Sequence, residues 1–221
     1  YMRSELKIAP TIPELQPELV DLPDVHFVGS LLSQSMEQGV LPVEIAKLKE
    51  NFPLIFVYLS PGDISPDYWI PTLVETFENS PYQVIVTLAP LGLSPKSLPS
   101  SDNVHFYKRL PGSTVIANSD LVISHGGANT VMNAVVHGIP QLVFPDNYAE
   151  REYNGRAVAR LGAGLNLPTK EFNTISLLHH VNYVLSDYKF KQNSVSLANI
   201  VKNYGGAKEV VRLIETELGR N

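Results

Sequence analysis

The stretch 120–140 constrains this chain more than any other part of it. The apolar run Leu121-Val122-Ile123-Ser124 is short and β-branched, and reads as a buried strand. His125-Gly126-Gly127 follows it. A helical period then begins, with Ala128, Val131, Met132, Val135 and Val136 expected on one core-facing stripe. Gly138-Ile139-Pro140 ends the helix, glycine at its C-cap and proline beyond. Asn129, Asn133 and His137 share a second stripe, which taken alone reads as a solvated face.

The same alternation continues from about Leu54 onward. Strands are expected at 54–59, 82–88, 104–107, 121–124, 141–144 and 164–167, with helices at 66–78, 111–118, 127–137 and 150–161 between them. Three more helices, near 173–186, 188–203 and 206–218, close the chain. Short continuous strands separated by helices indicate an α/β fold, a Rossmann-like parallel sheet with helices on both faces. Residues 1–50 differ in texture. Pro10, Pro13, Pro17, Pro23 and Pro42 break any long helix, and one strand at 25–28 ends at Gly29. They read as a connector with little core of its own. The expected division is therefore a connector over 1–50, a Rossmann-like domain over 51–205 and a C-terminal helix over 206–221.

Composition removes several classes of function. The net charge is −5 and no Lys/Arg run occurs, which argues against nucleic acid as a partner. No apolar stretch approaches the roughly 18 residues of a membrane span, and no secretory signal is visible. With no cysteine there is no disulfide or thiol chemistry, as fits a reducing, cytoplasmic setting. The six histidines never fall at H-x-x-x-H or pair with helical carboxylates, so no metal site is expected, and His179-His180 reads as a solvated helix patch. The opening Tyr1-Met2-Arg3 reads as part of a longer protein.

In an open α/β sheet, ligands sit beyond the carboxyl ends of the strands. Four segments leave those ends and should share one crevice: Ser60-Pro61-Gly62-Asp63, then 108–112, 124–130 and 145–150. The His-Gly-Gly turn into a helix is suited to a diphosphate. Backbone N–H groups over 127–130, the Thr130 hydroxyl and the His125 side chain can all donate to phosphate oxygens.

Three blocks carry a family resemblance: 124–145, running from Ser124-His-Gly-Gly to Pro145; Glu150-Arg-Glu-Tyr-Asn154; and Leu161-Gly-Ala-Gly164. Together they resemble the donor-binding half of GT-B glycosyltransferases, nearest the superfamily of UDP-glucuronosyl-/glucosyltransferases and antibiotic glycosyltransferases. The usual pattern there is H-G-G-x-N-T-x-x-E-A-x-x-x-G-x-P-x-L-x-x-P, then D/E-Q-x-x-N-A, then G-x-G. The resemblance implies that this chain is a C-terminal lobe preceded by the tail of an N-terminal one. It implies donor-diphosphate contacts at His125, Gly127, Ala128, Asn129 and Thr130, and base and ribose contacts at Leu110, Pro111, Gly112 and Asn133. Sugar contacts fall on Glu150 and Arg151, and Ser60 and Gly62 are assigned to the same cleft.

Two departures bear on the donor. Asn133 stands where many members have a ribose-gripping Glu, which removes charge assistance and suits a deoxyribose such as that of dTDP, with UDP still open. Arg151 stands where members have a sugar-binding Gln; it cannot accept a hydrogen bond and is expected to pair with Glu150 or solvent. The implied reaction is transfer of a glycosyl group from a UDP- or dTDP-sugar to an acceptor hydroxyl with inversion, using neither metal nor further cofactor. The family's base lies in the N-terminal, acceptor-binding lobe, in the same or a separate chain. No catalytic residue is therefore expected here, and the chain alone should bind donor but transfer nothing. Alternatives are a GT-B epimerase or lipid-linked-sugar transferase, or a non-catalytic donor-binding subunit. An esterase-like hydrolase is disfavoured because Val122 replaces the glycine of a nucleophile elbow and no G-x-S-x-G follows His125.

Overall fold

The computed structural model describes residues 6–31, 39–59, 62, 64–88, 91–99 and 101–219. The chain starts with two short strands, β1 (Lys7–Ala9) and β2 (Val25–Phe27), paired in parallel. Helix α1 (Val43–Asn51) leads into β3 (Leu54–Tyr58), and α2 (Pro66–Phe77) into β4 (Gln83–Thr87) and then β5 (Val104–Tyr107). After α3 (Gly112–Ala117), the chain alternates through β6 (Leu121–Ser124), α4 (Ala128–His137), β7 (Gln141–Val143), α5 (Ala149–Arg160) and β8 (Gly164–Asn166). It ends in α6 (Thr174–Ser186), α7 (Tyr188–Val201) and α8 (Gly206–Leu218).

β3 to β8 form one six-stranded sheet in the order β5-β4-β3-β6-β7-β8, every neighbouring pair parallel. The chain builds outward from β3 to β5, then returns to lay β6 against the other side of β3. The strand order therefore reverses between β3 and β6, the position where α/β sheets open a crevice.

Both faces of the sheet are covered, and the strands are apolar on both. Along β6, Leu121 and Ile123 pack with Trp69, Leu73 and Phe77 of α2 and with Leu177 and Val181 of α6. Val122 points the other way, to Ile45 of α1, Val115 and Ile116 of α3, and Ala134 of α4. Period-2 alternation between two buried layers is what fully buried parallel strands require. Among the described residues, no helix is long and apolar enough to cross a membrane.

Three local expectations need correction. Ala128 is exposed, because it opens the first turn of α4 beyond the layer where Val131, Met132 and Val135 are buried. Pro42 does not prevent a helix; it is the N-cap of α1, a helix-start position where its missing N–H costs nothing. The connector does contribute to the core. Ile12 and Leu15 pack with Met132, Val135, Ala157 and Leu197, and Ile45 packs with Leu54 and Phe56. α5 fastens this segment through Tyr153 Oη, which donates to the Leu15 carbonyl at 3.1 Å, and Arg160, which donates to the Glu14 carbonyl at 2.9 Å.

Candidate functional site

The site is built where β6 gives way to α4. Gly126 turns the chain with φ at +87°, and a Cβ there would lie 2.8 Å from both the Arg151 carbonyl oxygen and Val143 Cγ1. Only glycine satisfies both the left-handed backbone and that closeness. Two hydrogen bonds hold the turn: the Gly126 N–H donates to Ser124 Oγ at 3.2 Å, and Asn154 Nδ2 on α5 donates to the Gly126 carbonyl at 2.8 Å.

Gly127 is the N-cap of α4 and has no side chain with which to cap it. Its carbonyl accepts from the Thr130 and Val131 N–H groups at 3.0 Å each, so the Thr130 amide turns inward. The Ala128 N–H instead donates across the gap to Glu150 Oε1 at 3.3 Å. A carboxylate from α5 thus occupies the position that a helix start with its positive dipole end offers to an anion.

His125 is 9% exposed. It donates a ring N–H to the Tyr58 carbonyl of β3, and its Nε2 lies 2.8 Å from where a Gly127 Cβ would stand. Burial, more than any other influence, holds the imidazole below its usual protonation range. The Arg151 cation acts in the same direction, against Asp146, the Tyr58 bond and Glu150.

Beside the first turns of α4 a cleft of about 400 Å³ opens over the carboxyl ends of β3 and β4. Phe56, Tyr58, Thr87 and Ile116 line its base, Arg109, Leu110 and Gly112 one wall, and Asn129, Thr130 and Asn133 the other. Asn133 and His137 are not on a solvated face. Asn133 is 6% exposed, its Oδ1 accepts from the Ser113 hydroxyl at 3.1 Å, and that hydroxyl lies 3.1 Å from His137 Nε2. The face of α4 that carries them packs on α3 instead of on water. With one bond to Oδ1 made, Asn133 offers a ligand its NH2 group and the second lone pair of Oδ1.

On the other side of His125, Leu59, Gly62, Ile64, Trp69, Phe144 and Asp146 enclose, with it, a hollow of about 10 Å³. Asp146 forms an ion pair with Arg151, whose guanidinium also stacks 4.5 Å over the Tyr148 ring. The expectation that Arg151 pairs with Glu150 or solvent is therefore corrected. Consecutive residues on a helix diverge by about 100°, so Glu150 reaches α4 while Arg151 turns to Asp146.

The cleft thus brings together Leu110, Gly112, Asn129, Thr130 and Asn133, while His125 lines the small hollow and Gly127 and Glu150 meet at the start of α4. Pro111 does not line it; the residue is the N-cap of α3, with its ring against Gly39. Gly62 lines the small hollow instead, and Ser60 lies outside the described residues. Tyr58, Thr87 and Ser113 contribute contacts that the chain's motifs did not flag, whereas Arg109 and Asp146 lie in the 108–112 and 145–150 segments expected at the crevice. Asn154 was visible within the Glu150-to-Asn154 block, but not its hydrogen bond to the His-Gly-Gly turn. A further hollow of about 500 Å³, lined by Pro53, Tyr82, His179, Asn182, Tyr183, Leu185 and Ser186, sits at the amino ends of β3 and β4 and carries no carboxylate, Lys or Arg.

Comparison with known proteins bears on this arrangement. Residues 79–216 match the family described as Erythromycin biosynthesis protein CIII-like, C-terminal domain. The chain is 30% identical over 190 residues to NDP-glycosyltransferase YjiC of Bacillus subtilis (strain 168), covering 86% of this chain and 47% of that protein. It is 29% identical over 144 residues to aclacinomycin-T 2-deoxy-L-fucose transferase of Streptomyces galilaeus, covering 65% of this chain and 32% of the relative. Among solved structures, the calicheamicin glycosyltransferase CalG4 superimposes with a TM-score of 0.81 at 22% identity, over 99% of this chain and 53% of that one. The spinosyn rhamnosyltransferase SpnG, complexed with thymidine diphosphate, gives 0.71 at 22% identity, over 97% and 57%. The fold is that of a GT-B glycosyltransferase C-terminal lobe, and the chain spans about half the length of the YjiC protein it matches.

Proposed function

The chain belongs to the Erythromycin biosynthesis protein CIII-like, C-terminal domain family, and from that membership we propose that it is the nucleotide-sugar-binding half of an inverting glycosyltransferase. One observation carries the reading. The start of α4 has a glycine N-cap, faces a buried histidine and already attracts a carboxylate, all at the mouth of a cleft sized for a nucleoside.

In this reading the donor diphosphate displaces the Glu150 carboxylate and takes hydrogen bonds from the Ala128 and Asn129 amides, the Thr130 hydroxyl and His125. The nucleoside lies over Tyr58 and Thr87, with main-chain contacts at Leu110 and Gly112 and the Asn133 NH2 on the ribose. Glu150, released from Ala128, turns to the sugar hydroxyls. Arg151, tied to Asp146, positions that wall and reads no hydroxyl. As an acceptor hydroxyl attacks the anomeric carbon, the glycosyl–oxygen bond breaks and negative charge grows on the diphosphate, which these donors stabilise.

The base that takes the acceptor's proton belongs to a further lobe. α8 presents Val211, Ile214 and Leu218, each more than 40% exposed, an apolar stripe that such a lobe would cover. A neutral Asn133 favours a thymidine nucleotide over a uridine one, and the thymidine diphosphate held by a rhamnosyltransferase of this fold is in keeping with that.

The single tryptophan provides the test, since Trp69 lines the hollow shared with His125 and Asp146. Its emission should change saturably with dTDP-glucose, and at higher concentration with UDP-glucose, while the chain alone transfers no sugar to an added acceptor. No spectral change at millimolar nucleotide sugar would overturn the reading.

A further inference from the structure

We propose that the small hollow beside His125 is a one-oxygen site, taking a single O–H group that accepts from Trp69 Nε1 and donates to Asp146 Oδ1. Trp69 of α2 and Asp146 of the β7–α5 connection both line the hollow, and they are only 1% and 8% exposed. Trp69 Nε1 and Asp146 Oδ1 are each shielded from solvent, and neither has a hydrogen-bond partner among the described residues. The other Asp146 oxygen is taken by Arg151. His125 apart, the remaining residues around the hollow are apolar or glycine. A buried donor or acceptor left without a partner carries its full desolvation penalty. Two such atoms on residues that share one hollow mark a place for a ligand.

Their chemistry says which. An indole N–H only donates, and a carboxylate paired with a guanidinium only accepts. The two are complementary yet do not meet, so a group between them must accept on one side and donate on the other. A hydroxyl or a water does both with one atom, whereas a phosphate or carbonyl oxygen cannot donate and an ammonium cannot accept. The hollow's volume of about 10 Å³ is the space of one such oxygen. Water is its source in the free chain. In the complex the oxygen is either that water or a hydroxyl of the transferred sugar, and the second source rests on the donor site proposed above. Either oxygen ties α2 to the connection that leads into α5, where Glu150 and Arg151 stand.

The test is a crystal structure of the chain, alone and with dTDP-glucose, at a resolution that shows ordered water. The expected result is one oxygen within about 3.2 Å of both Trp69 Nε1 and Asp146 Oδ1. In the complex, density continuous with the glucose ring assigns it to a sugar hydroxyl, and density standing apart assigns it to water. Trp69→Phe keeps the apolar body and removes the N–H. If the hydroxyl enters, this variant should lose about tenfold in affinity for dTDP-glucose relative to dTDP, and if water stays the ratio should hold within about twofold. No shared oxygen in either structure, or one that reaches only one of the two atoms, would overturn the proposal. Nucleotide at the start of α4 without that oxygen would leave the donor site standing, and the oxygen without bound nucleotide would sustain this proposal while the donor site falls.

Discussion

At the scale of single residues, the two glycines after His125 do different work and should fail differently when changed. Gly126 needs its positive φ and would drive a Cβ into the Arg151 carbonyl. Gly126→Ala should therefore destabilise the chain by roughly 2 kcal/mol or more, read as a lower urea midpoint with an unchanged slope. Gly127 has an ordinary φ of −61°, and the nearest atom to its Cβ would be His125 Nε2. Gly127→Ala should leave stability within about 1 kcal/mol of wild type, yet push the imidazole aside and weaken nucleotide-sugar binding about tenfold. Equal losses of stability in the two variants would contradict this division. The partly buried pair of Asp146 and Arg151 belongs to the same scale: it anchors a cation beside His125.

At the scale of elements, three histidines each link two neighbours. His105 of β5 lies 2.6 Å from Gln83 Oε1 of β4, His137 of α4 lies 3.1 Å from Ser113 of α3, and His125 joins the end of β6 to Tyr58 of β3. Burial is the largest influence on all three and lowers their protonation. The unfolded chain, with imidazoles near 6.5, binds more protons than the folded one in this range. Their contribution to stability is therefore fully present above about pH 6.5 and is lost as pH falls through the depressed folded values. The thermal midpoint should drop between pH 7.5 and pH 5.5. A flat midpoint would show that these histidines titrate alike in both states, and a rising one that the folded chain binds more protons; either would contradict this account.

Helix and strand positions were largely legible at this scale, because strands buried on both faces read as continuous apolar runs and helices carried one stripe each. β1 and α1 were not. A three-residue strand has too little pattern to register, and prolines that punctuate 1–50 also start helices, as Pro42 does. The exposed Ala128 and buried Asn133 show the limit of a helical wheel, which gives angles but not how far along its axis a helix is covered.

At the scale of the whole molecule, what the linear order hid was adjacency. β3 and β6 are far apart in the chain yet hydrogen-bonded neighbours in the sheet, and their pairing sets Tyr58 beside His125 and opens the cleft between α3 and α4. The residues themselves pointed to the His-Gly-Gly turn, and the family resemblance to Leu110 and Gly112. Thr87 and Tyr58 join them through the pairing of the strands, while Arg109 lies in the 108–112 segment already expected at the crevice. Conversely, a single side-chain contact across elements decided Arg151, and the sequence around it carries no record of Asp146 as the partner. The chain matches about half of a longer glycosyltransferase, and under the proposed function the apolar stripe on α8 would face the other lobe.

The central claim is that a nucleoside diphosphate lodges at the start of α4. It is tested most directly by following backbone amide resonances of the chain during titration with dTDP-glucose and UDP-glucose. The account predicts the largest shifts at Leu110, Gly112, Ala128, Asn129 and Asn133, saturating together. Shifts centred instead on Tyr82, Asn182 and Tyr183 at the opposite end of the strands, or none at millimolar ligand, would contradict it.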